Sequence, residues 1–443
     1  HLVGFLGQPS PAERRRDLRA NRILDAYGDP LDLLAGSTEP LSSDLRLFRE
    51  PYGRTALERK YDARLRGHPG ARVVVRDVRG TVRHVVREDA AQVGEDLELT
   101  LDVEVQRAAE RALDEALQRH GTPKAGAAAV LFEIRSGEVL ALASAPRYEV
   151  QRFKEQGYYA GVREDPRRPQ LHRAVMAYPP GSTWKILSCF AMTSPAGLPG
   201  TSPPSPEAAV EALPADWTTV CEKRMHRNQR SFTCEGYHGR IGMTRAIERS
   251  CNIFFFRAAD RIGIAPTARW GELLGMGRPI GIGIPGEQGG LVPGPGYKET
   301  LYLNQQKSLS AWVERIQQLQ QAPVFDSLAF AAAHRRLARA AFWYRSYGRD
   351  REVRTGDVRN GIIGQGDVLA TPLQVASLAA LVAGEGRFAR PRILRDEPAV
   401  LTEVSLDPEV LASVREGMRR VVTRGTASKA QVGLRELDVA GKT

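Results

Sequence analysis

Ser182 and Lys185 stand three residues apart in Ser182-Thr183-Trp184-Lys185, directly after Pro179-Pro180-Gly181. Residues at that spacing share one face of a helix, which brings the Lys185 amine within reach of the Ser182 hydroxyl. Such a pair is a nucleophile with its base. An amine whose pKa is lowered by burial and by the positive end of a helix can take the serine proton. A helix that starts at Ser182 also offers the Ser182 backbone N–H to an oxyanion forming beside it. Alone, Ser-x-x-Lys reads equally well as a capping serine followed by a surface lysine.

Further polar groups follow in order. In Ser250-Cys251-Asn252, the Ser250 hydroxyl could relay a proton to a leaving amine, and the Asn252 amide could hold Lys185 and a substrate amide; the plainer reading is a polar helix start. Lys442-Thr443 supplies a cation and a hydroxyl for a substrate carboxylate, or simply a charged strand end. Between the first two motifs lie Cys221, His226, Cys234 and His238, whose side chains suit zinc, with Cys221, Cys234 and His238 as the candidate ligand set. Their spacing is not that of a zinc finger, and an oxidised Cys221–Cys234 pair is equally natural outside the cytoplasm.

The elements needed to position these groups are legible. Arg72–Asp77 and Thr81–Val86 are Val-rich runs joined across Arg79-Gly80, a hairpin signal. Asp102 is a good N-cap for a helix whose apolar positions Val105, Ala109, Ala112, Leu113, Ala116 and Leu117 recur at helical spacing up to Gly121. Ala127–Ile134 and Glu138–Ser144 read as a second hairpin of largely buried strands across Arg135-Ser136-Gly137. The prolines before Gly181 force an irregular approach to a helix starting near Ser182. Further helices are predicted over Thr244–Ala259, Thr371–Ala383 and Leu411–Val422, with one or two more over Ser308–Arg345. Gly275–Gly296 is too broken by Gly and Pro to be one element, and Glu436–Thr443 reads as the start of a strand.

With 443 residues and 42% apolar side chains, the chain can bury a sizeable core in two domains. Its formal charge of +11 comes from Arg residues scattered between Arg14 and Arg424, so it suits any polyanionic neighbour. Without finger spacing, an aromatic RNA-binding signature or a dense basic helix, nucleic acid is not the expected partner. The longest apolar runs, such as Val375–Ala383, are about half of what a membrane crossing requires. The sequence opens at His1 without a signal segment, so we read it as a fragment with its export signal or anchor upstream.

The three motifs together, with their flanks, resemble the class B penicillin-binding proteins. Tyr178-Pro-Pro-Gly-Ser-Thr-Trp-Lys185, Ser250-Cys-Asn-Ile-Phe-Phe255, Gly364-Gln-Gly366 and Thr371-Pro-Leu-Gln374 all carry the likeness. Gly53-Arg-Thr-Ala-Leu-Glu58, Tyr61-Asp62 and Leu65-Arg-Gly67 resemble that family's non-catalytic pedestal, and Leu99-Thr-Leu-Asp102 the entry to its transpeptidase domain. Trp184 stands where Phe is common in the family, and Ala56 where Gly is common.

The resemblance implies an α+β fold: a serine β-lactamase-like transpeptidase domain, an antiparallel sheet with helices, over residues 97–443, and a partial pedestal of the dimerisation type over 1–96. The transpeptidase domain is expected to be truncated at its C-terminus, since Lys442-Thr443 lacks the glycine that follows in the family, and to carry a helical insertion near 303–354. It implies a peptidoglycan D,D-transpeptidase in which Ser182 is acylated by a stem peptide with Lys185 as base, Ser250 and Asn252 assist, and Lys442 and Thr443 hold the terminal carboxylate. No cofactor is required; a structural zinc is a feature of some elongation-type relatives. β-Lactams would be trapped as acyl-enzymes. Pro180 before Gly181 looks like the elongation subgroup, which implies a SEDS-family glycan polymerase as membrane partner and a catalytic domain outside the inner membrane. A β-lactam-hydrolysing or -sensing relative and a non-catalytic cell-wall scaffold are the alternatives.

Overall fold

In the computed structural model, which describes residues 6–7, 52–53, 55–68, 70–122, 125–195, 210–227, 230–322, 326–429 and 437–443, helices alternate with antiparallel strand pairs. Most of the chain before Tyr52, Arg54 in the pedestal-like motif and Glu436 lie outside these residues. The chain divides into two compact units. One comprises residues 1–176, 280–288 and 389–401; the other comprises 177–279, 289–388 and 402–443.

In the first unit, strands Ala71–Arg76 and Val82–Asp89 pair antiparallel. The Asp77 carboxylate closes their turn by accepting the backbone N–H groups of Arg79 and Thr81. Asp102 caps helix Val103–His120, its side chain accepting from the N–H groups of Glu104 and Val105. The helix packs Leu113, with Ala109 and Leu117, on Ala143 and Ala145 of the next hairpin. That hairpin pairs Ala127–Phe132 with Val139–Ala145. Its second strand is nearly all buried and its first only partly so, because helix Val103–His120 covers the second far more extensively. Thr100 ties this layer together by donating its hydroxyl to Val139 O at 2.8 Å.

The second unit is mainly helical. A 3₁₀ turn, Gly181–Trp184, leads into helix Lys185–Thr193, whose residues up to Met192 are all buried. Against it pack helices Met243–Glu248, Asn252–Ile262, Ala265–Leu273 and Pro408–Thr423, while Thr355–Ile362 packs on Asn252–Ile262 and Pro372–Ala383 on Pro408–Thr423. Phe190 stacks on Trp270 at 5.6 Å, and Phe254 lies 4.9 Å from Trp217. The capping box of Thr371 and Gln374 starts helix Pro372–Ala383, and the Gln374 amide also bonds the carbonyls of Arg278 and Gly289 at 2.9 Å.

Three expectations change. The single helix over Thr244–Ala259 is two helices, broken at Arg249–Cys251. The helical stretch expected over Ser308–Arg345 is an antiparallel pair that starts earlier, Tyr297–Gln321 and Ser327–Gly348, packed through Ile316, Leu319 and Ala333. Leu437–Thr443 forms no strand; its Gly441 N–H donates to Met418 O of a helix rather than to a neighbouring strand, and an extended run becomes sheet only with a ladder partner. Among the described residues, no helix is long and apolar enough to cross a membrane.

Candidate active site

The approach to Ser182 is set by backbone. Gly181 adopts a positive φ of 58°, and its N–H donates to Gly364 O at 2.8 Å. Gly364 is itself at φ +71°, and a Cβ there would lie 2.3 Å from Gly181 O and 2.5 Å from Trp184 Cβ. Only glycine allows this approach. Thr183 Oγ1 donates to Pro180 O at 2.7 Å and braces the turn. On a 3₁₀ turn, residues three apart eclipse, so Ser182 and Lys185 lie on one side.

Ser250 occupies the break between two helices at φ +52°. The Cys251 N–H donates to Ala246 O at 2.9 Å and the Ser250 N–H to Ile247 O at 3.1 Å, the two bonds of a Schellman end. Glycine is the usual residue at this left-handed position. A serine tolerates it here at a cost of about 1–3 kcal/mol, and its side chain and carbonyl then face Lys185.

Lys185 is fully buried. Its Nζ donates to Asn252 Oδ1 at 2.6 Å, Ser250 O at 2.9 Å and Ser250 Oγ at 3.2 Å. Among the described residues these bonds, rather than one to the Ser182 hydroxyl, occupy the amine; catalytic contacts often tighten only when substrate arrives. Burial, and after it the nearby Lys442 charge, lower the Lys185 pKa to about 7. Lys442 Nζ donates to Ser250 Oγ at 2.9 Å, and burial lowers its pKa to about 8. The Ser250 hydroxyl therefore lies between two amines. The Thr443 hydroxyl shares a hydrogen bond with that of Thr426.

Beside this centre, Cys221, Cys234, His238 and Cys251 place one donor atom each within 4.8 Å of one another. Cys221 ends strand Thr218–Cys221, which pairs with Gly239–Gly242, and Cys251 is the N-cap residue of helix Asn252–Ile262. His238 Nδ1 lies 3.4 Å from Cys221 Sγ and 3.6 Å from Cys234 Sγ; Cys234 Sγ lies 3.9 Å from Cys251 Sγ. A tetrahedral zinc with ordinary bond lengths would give edges of ~3.6 Å for N to S and ~3.8 Å for S to S. The donor set thus fits zinc. The Cys251 thiol, followed by the backbone N–H groups of Gly236, Asn252 and Ile253, holds the Cys234 thiol well below the usual range. All four cysteines are free thiols here, so no Cys221–Cys234 disulfide forms. The side chain of His226 lies outside the described residues. Sequence reasoning missed Cys251 because it was absorbed into the Ser-x-Asn motif; a third cysteine following the Cys–His cluster was the available signal.

A helix-borne serine with a buried lysine, backed by a second serine and an amide, is the layout of serine–lysine acyl transfer. The penicillin-binding protein transpeptidase domain model matches residues 127–443 and the penicillin-binding protein dimerisation domain model matches 47–99, so the chain belongs to the penicillin-binding protein transpeptidase family. The peptidoglycan D,D-transpeptidase MrdA of Acinetobacter baumannii is 26% identical over 91% of this chain and 52% of its own length. MrdA of Escherichia coli K12 is 30% identical over 56% of this chain and 36% of its own length. The chain therefore spans about half the length of the first of these relatives or less. Among solved structures, penicillin-binding protein PBP2 of Helicobacter pylori, in complex with MreC, superposes with a TM-score of 0.67 at 20% identity, covering 98% of this chain and 64% of that one. A component of a peptidoglycan synthase complex superposes at 0.65 and 24%, covering 97% and 62%. These two likenesses concern the fold.

Proposed function

We propose that the parent protein is a peptidoglycan D,D-transpeptidase of the elongation type, and that Ser182 is its nucleophile. The observation that carries the reading is the buried Lys185 amine, lowered to about 7, bonded to Ser250 and Asn252, and carried on the same turn as Ser182 three residues earlier. A base with a pKa near the working pH is the one that transfers protons best. Lys185 takes the Ser182 proton as Oγ bonds the carbonyl carbon of the penultimate D-Ala. The tetrahedral oxyanion collapses, the C–N bond breaks, and the leaving D-Ala amine takes a proton through Ser250. An amine of a second stem peptide then attacks the ester and restores the Ser182 hydroxyl. Asn252 holds Lys185 and a substrate amide, while Lys442 and Thr443 bind the terminal carboxylate.

Residues 1–96 serve as a pedestal of the dimerisation type and 97–443 as the transpeptidase domain, with the helices near 303–354 as its insertion. The relatives named MrdA and the solved complexes support a place in wall elongation, with stem peptides and β-lactams as ligands. The elongation-type reading, carried by Pro180 before Gly181, implies a SEDS-family glycan polymerase as membrane partner. The catalytic domain then works outside the inner membrane, held by an anchor in the parent protein. Cys221, Cys234, His238 and Cys251 bind a structural zinc whose thiolate–imidazole cage fixes the strand end at Cys221 and the helix start at Cys251, next to Ser250 and Asn252.

Covalent labelling by a fluorescent penicillin tests the central claim. Labelling is expected at Ser182 and is lost in Ser182→Ala; equal labelling of that variant removes the assignment. Rapid release of hydrolysed drug would instead identify a β-lactam-hydrolysing relative, and growth supported by Ser182→Ala would identify a scaffold.

A further inference from the structure

The helical excursion Tyr297–Gln321 and Ser327–Gly348 is tied to the nucleophile turn through its root. Its first two residues are both buried and both bonded. The Tyr297 hydroxyl donates to Asp367 Oδ2 at 2.7 Å. Lys298 Nζ donates to Asp350 Oδ2 at 3.0 Å and to Asp357 Oδ2 at 2.7 Å. Asp350 follows the second helix and Asp357 lies in helix Thr355–Ile362, so one ammonium gathers both ends of the excursion. Burial, and after it the Asp367 carboxylate, push the Tyr297 phenol up, which keeps it a donor at neutral pH.

Asp367 directly follows Gly364-Gln365-Gly366, whose glycines lie at φ +71° and +70°. This segment backs the residues that lead into Ser182. Gly364 O accepts the Gly181 N–H at 2.8 Å, and Ala370 and Tyr178 exchange both backbone hydrogen bonds at 2.9 Å. On its other side, Leu369 and Leu291 exchange theirs at 2.8 and 2.9 Å. A continuous line of bonds therefore runs from the Tyr297 hydroxyl through Asp367 and the Gly364 carbonyl to Gly181, the neighbour of Ser182. Gly181 has no side chain to hold its φ, so the direction of the Ser182 hydroxyl depends on what holds that N–H. Small misplacements of a reacting group are costly in rate.

We propose that Tyr297 and Asp367 are positioning residues for acylation of Ser182, and that through them the helical excursion sets how the Ser182 hydroxyl is presented. The proposal rests on the acyl-transfer reading of Ser182. Neither residue touches the reacting atoms; both act through the Gly364–Gly366 turn.

The test uses the full chain with two readouts: amide hydrogen exchange at Gly181, and penicillin labelling resolved into reversible binding and the acylation step. In Tyr297→Phe, the Gly181 amide is expected to exchange faster and acylation to slow about five- to tenfold, with reversible binding and the pH limb of Lys185 unchanged. Asp367→Ala should match it, and the double variant should be no worse than either single one. Asp367→Asn keeps an acceptor oxygen and should retain most of the rate. A merely structural role would lower the fraction of chain that labels while leaving the acylation step of the remainder intact. Unchanged Gly181 exchange, or effects of Tyr297→Phe and Asp367→Ala that simply add, would overturn the proposal. If the unaltered chain fails to label at Ser182, the acyl-transfer reading falls, whereas Gly181 exchange still decides whether the excursion is coupled to the turn. Should Tyr297→Phe not fold, Asp367→Ala carries the same readouts.

Discussion

Lys185 Nζ lies 2.6 Å from Asn252 Oδ1, the shortest of the bonds that hold this buried amine. A neutral amide positions the amine without changing its charge preference much, whereas a carboxylate in the same place would favour the ammonium. Asn252→Asp should therefore move the rising limb of the labelling profile about one unit toward alkaline pH, with about fivefold slower labelling at pH 7. Stopped-flow labelling across pH measures this, and an unmoved limb would remove Lys185 as the base.

The pH profile of the unaltered chain should be a narrow bell. Acylation needs Lys185 neutral, so it rises through about pH 7; carboxylate binding needs Lys442 charged, so it falls through about pH 8. Each amine feels the other, so the two limbs belong to the pair. The stability contribution has a definite sign. With a folded pKa of about 7 against the ordinary lysine value of 10.5, the unfolded chain binds more protons at Lys185 between those values, so this group makes stability rise with pH across that window. Urea midpoints at pH 7 and 9, compared between the unaltered chain and Lys185→Met, should show the difference.

Gly364→Ala places a methyl 2.3 Å from Gly181 O and 2.5 Å from Trp184 Cβ on a residue at φ +71°. We expect a loss of about 2–4 kcal/mol in stability and a sharp fall in labelling, read by thermal denaturation and penicillin binding.

Arg359 is 1% exposed and holds Asp260 through two bonds, Nε to Oδ1 at 2.9 Å and Nη2 to Oδ2 at 2.6 Å, with its guanidinium 4.5 Å from the Phe232 ring. Removing the carboxylate strands a buried cation. Asp260→Ala should cost about 3–5 kcal/mol, measured by urea denaturation, and more than Arg359→Met, which removes the charge and keeps much of the volume.

Zinc analysis of protein purified under reducing conditions should return about one equivalent per chain, falling on Cys234→Ala or Cys251→Ser. Chelation should lower the thermal midpoint, because a metal held only by the folded chain stabilises it. Full occupancy in Cys251→Ser would place the metal elsewhere.

Several of these relationships were written locally. Asp102 and Gly121 bound their helix because a carboxylate caps the first turn and the chain turns away at the glycine. Arg79-Gly80 and Ser136-Gly137 reverse their hairpins for similarly local reasons. The polar residues at Ser250-Cys251-Asn252 signalled a helix start, but the end of the preceding helix was not legible: the helical spacing of apolar residues continues through it, and only the Schellman bonds to Ala246 and Ile247 show that the chain turns left-handed there. Leu437–Thr443 carries strand-like residues, yet pairing is a property of neighbours and not of the segment.

The sequence by itself determined which chemical groups the chain owns, from the Ser182 hydroxyl and Lys185 amine to the cysteines near His238, and the short-range order that starts a helix at the nucleophile. Tertiary structure alone decided what Lys185 faces, that Cys251 joins the Cys–His cluster, and that Tyr297 meets Asp367. Helical spacing and caps are read within a few residues. Burial, and with it a lysine pKa near 7, arises only when elements far apart in the chain close around the amine and remove its water.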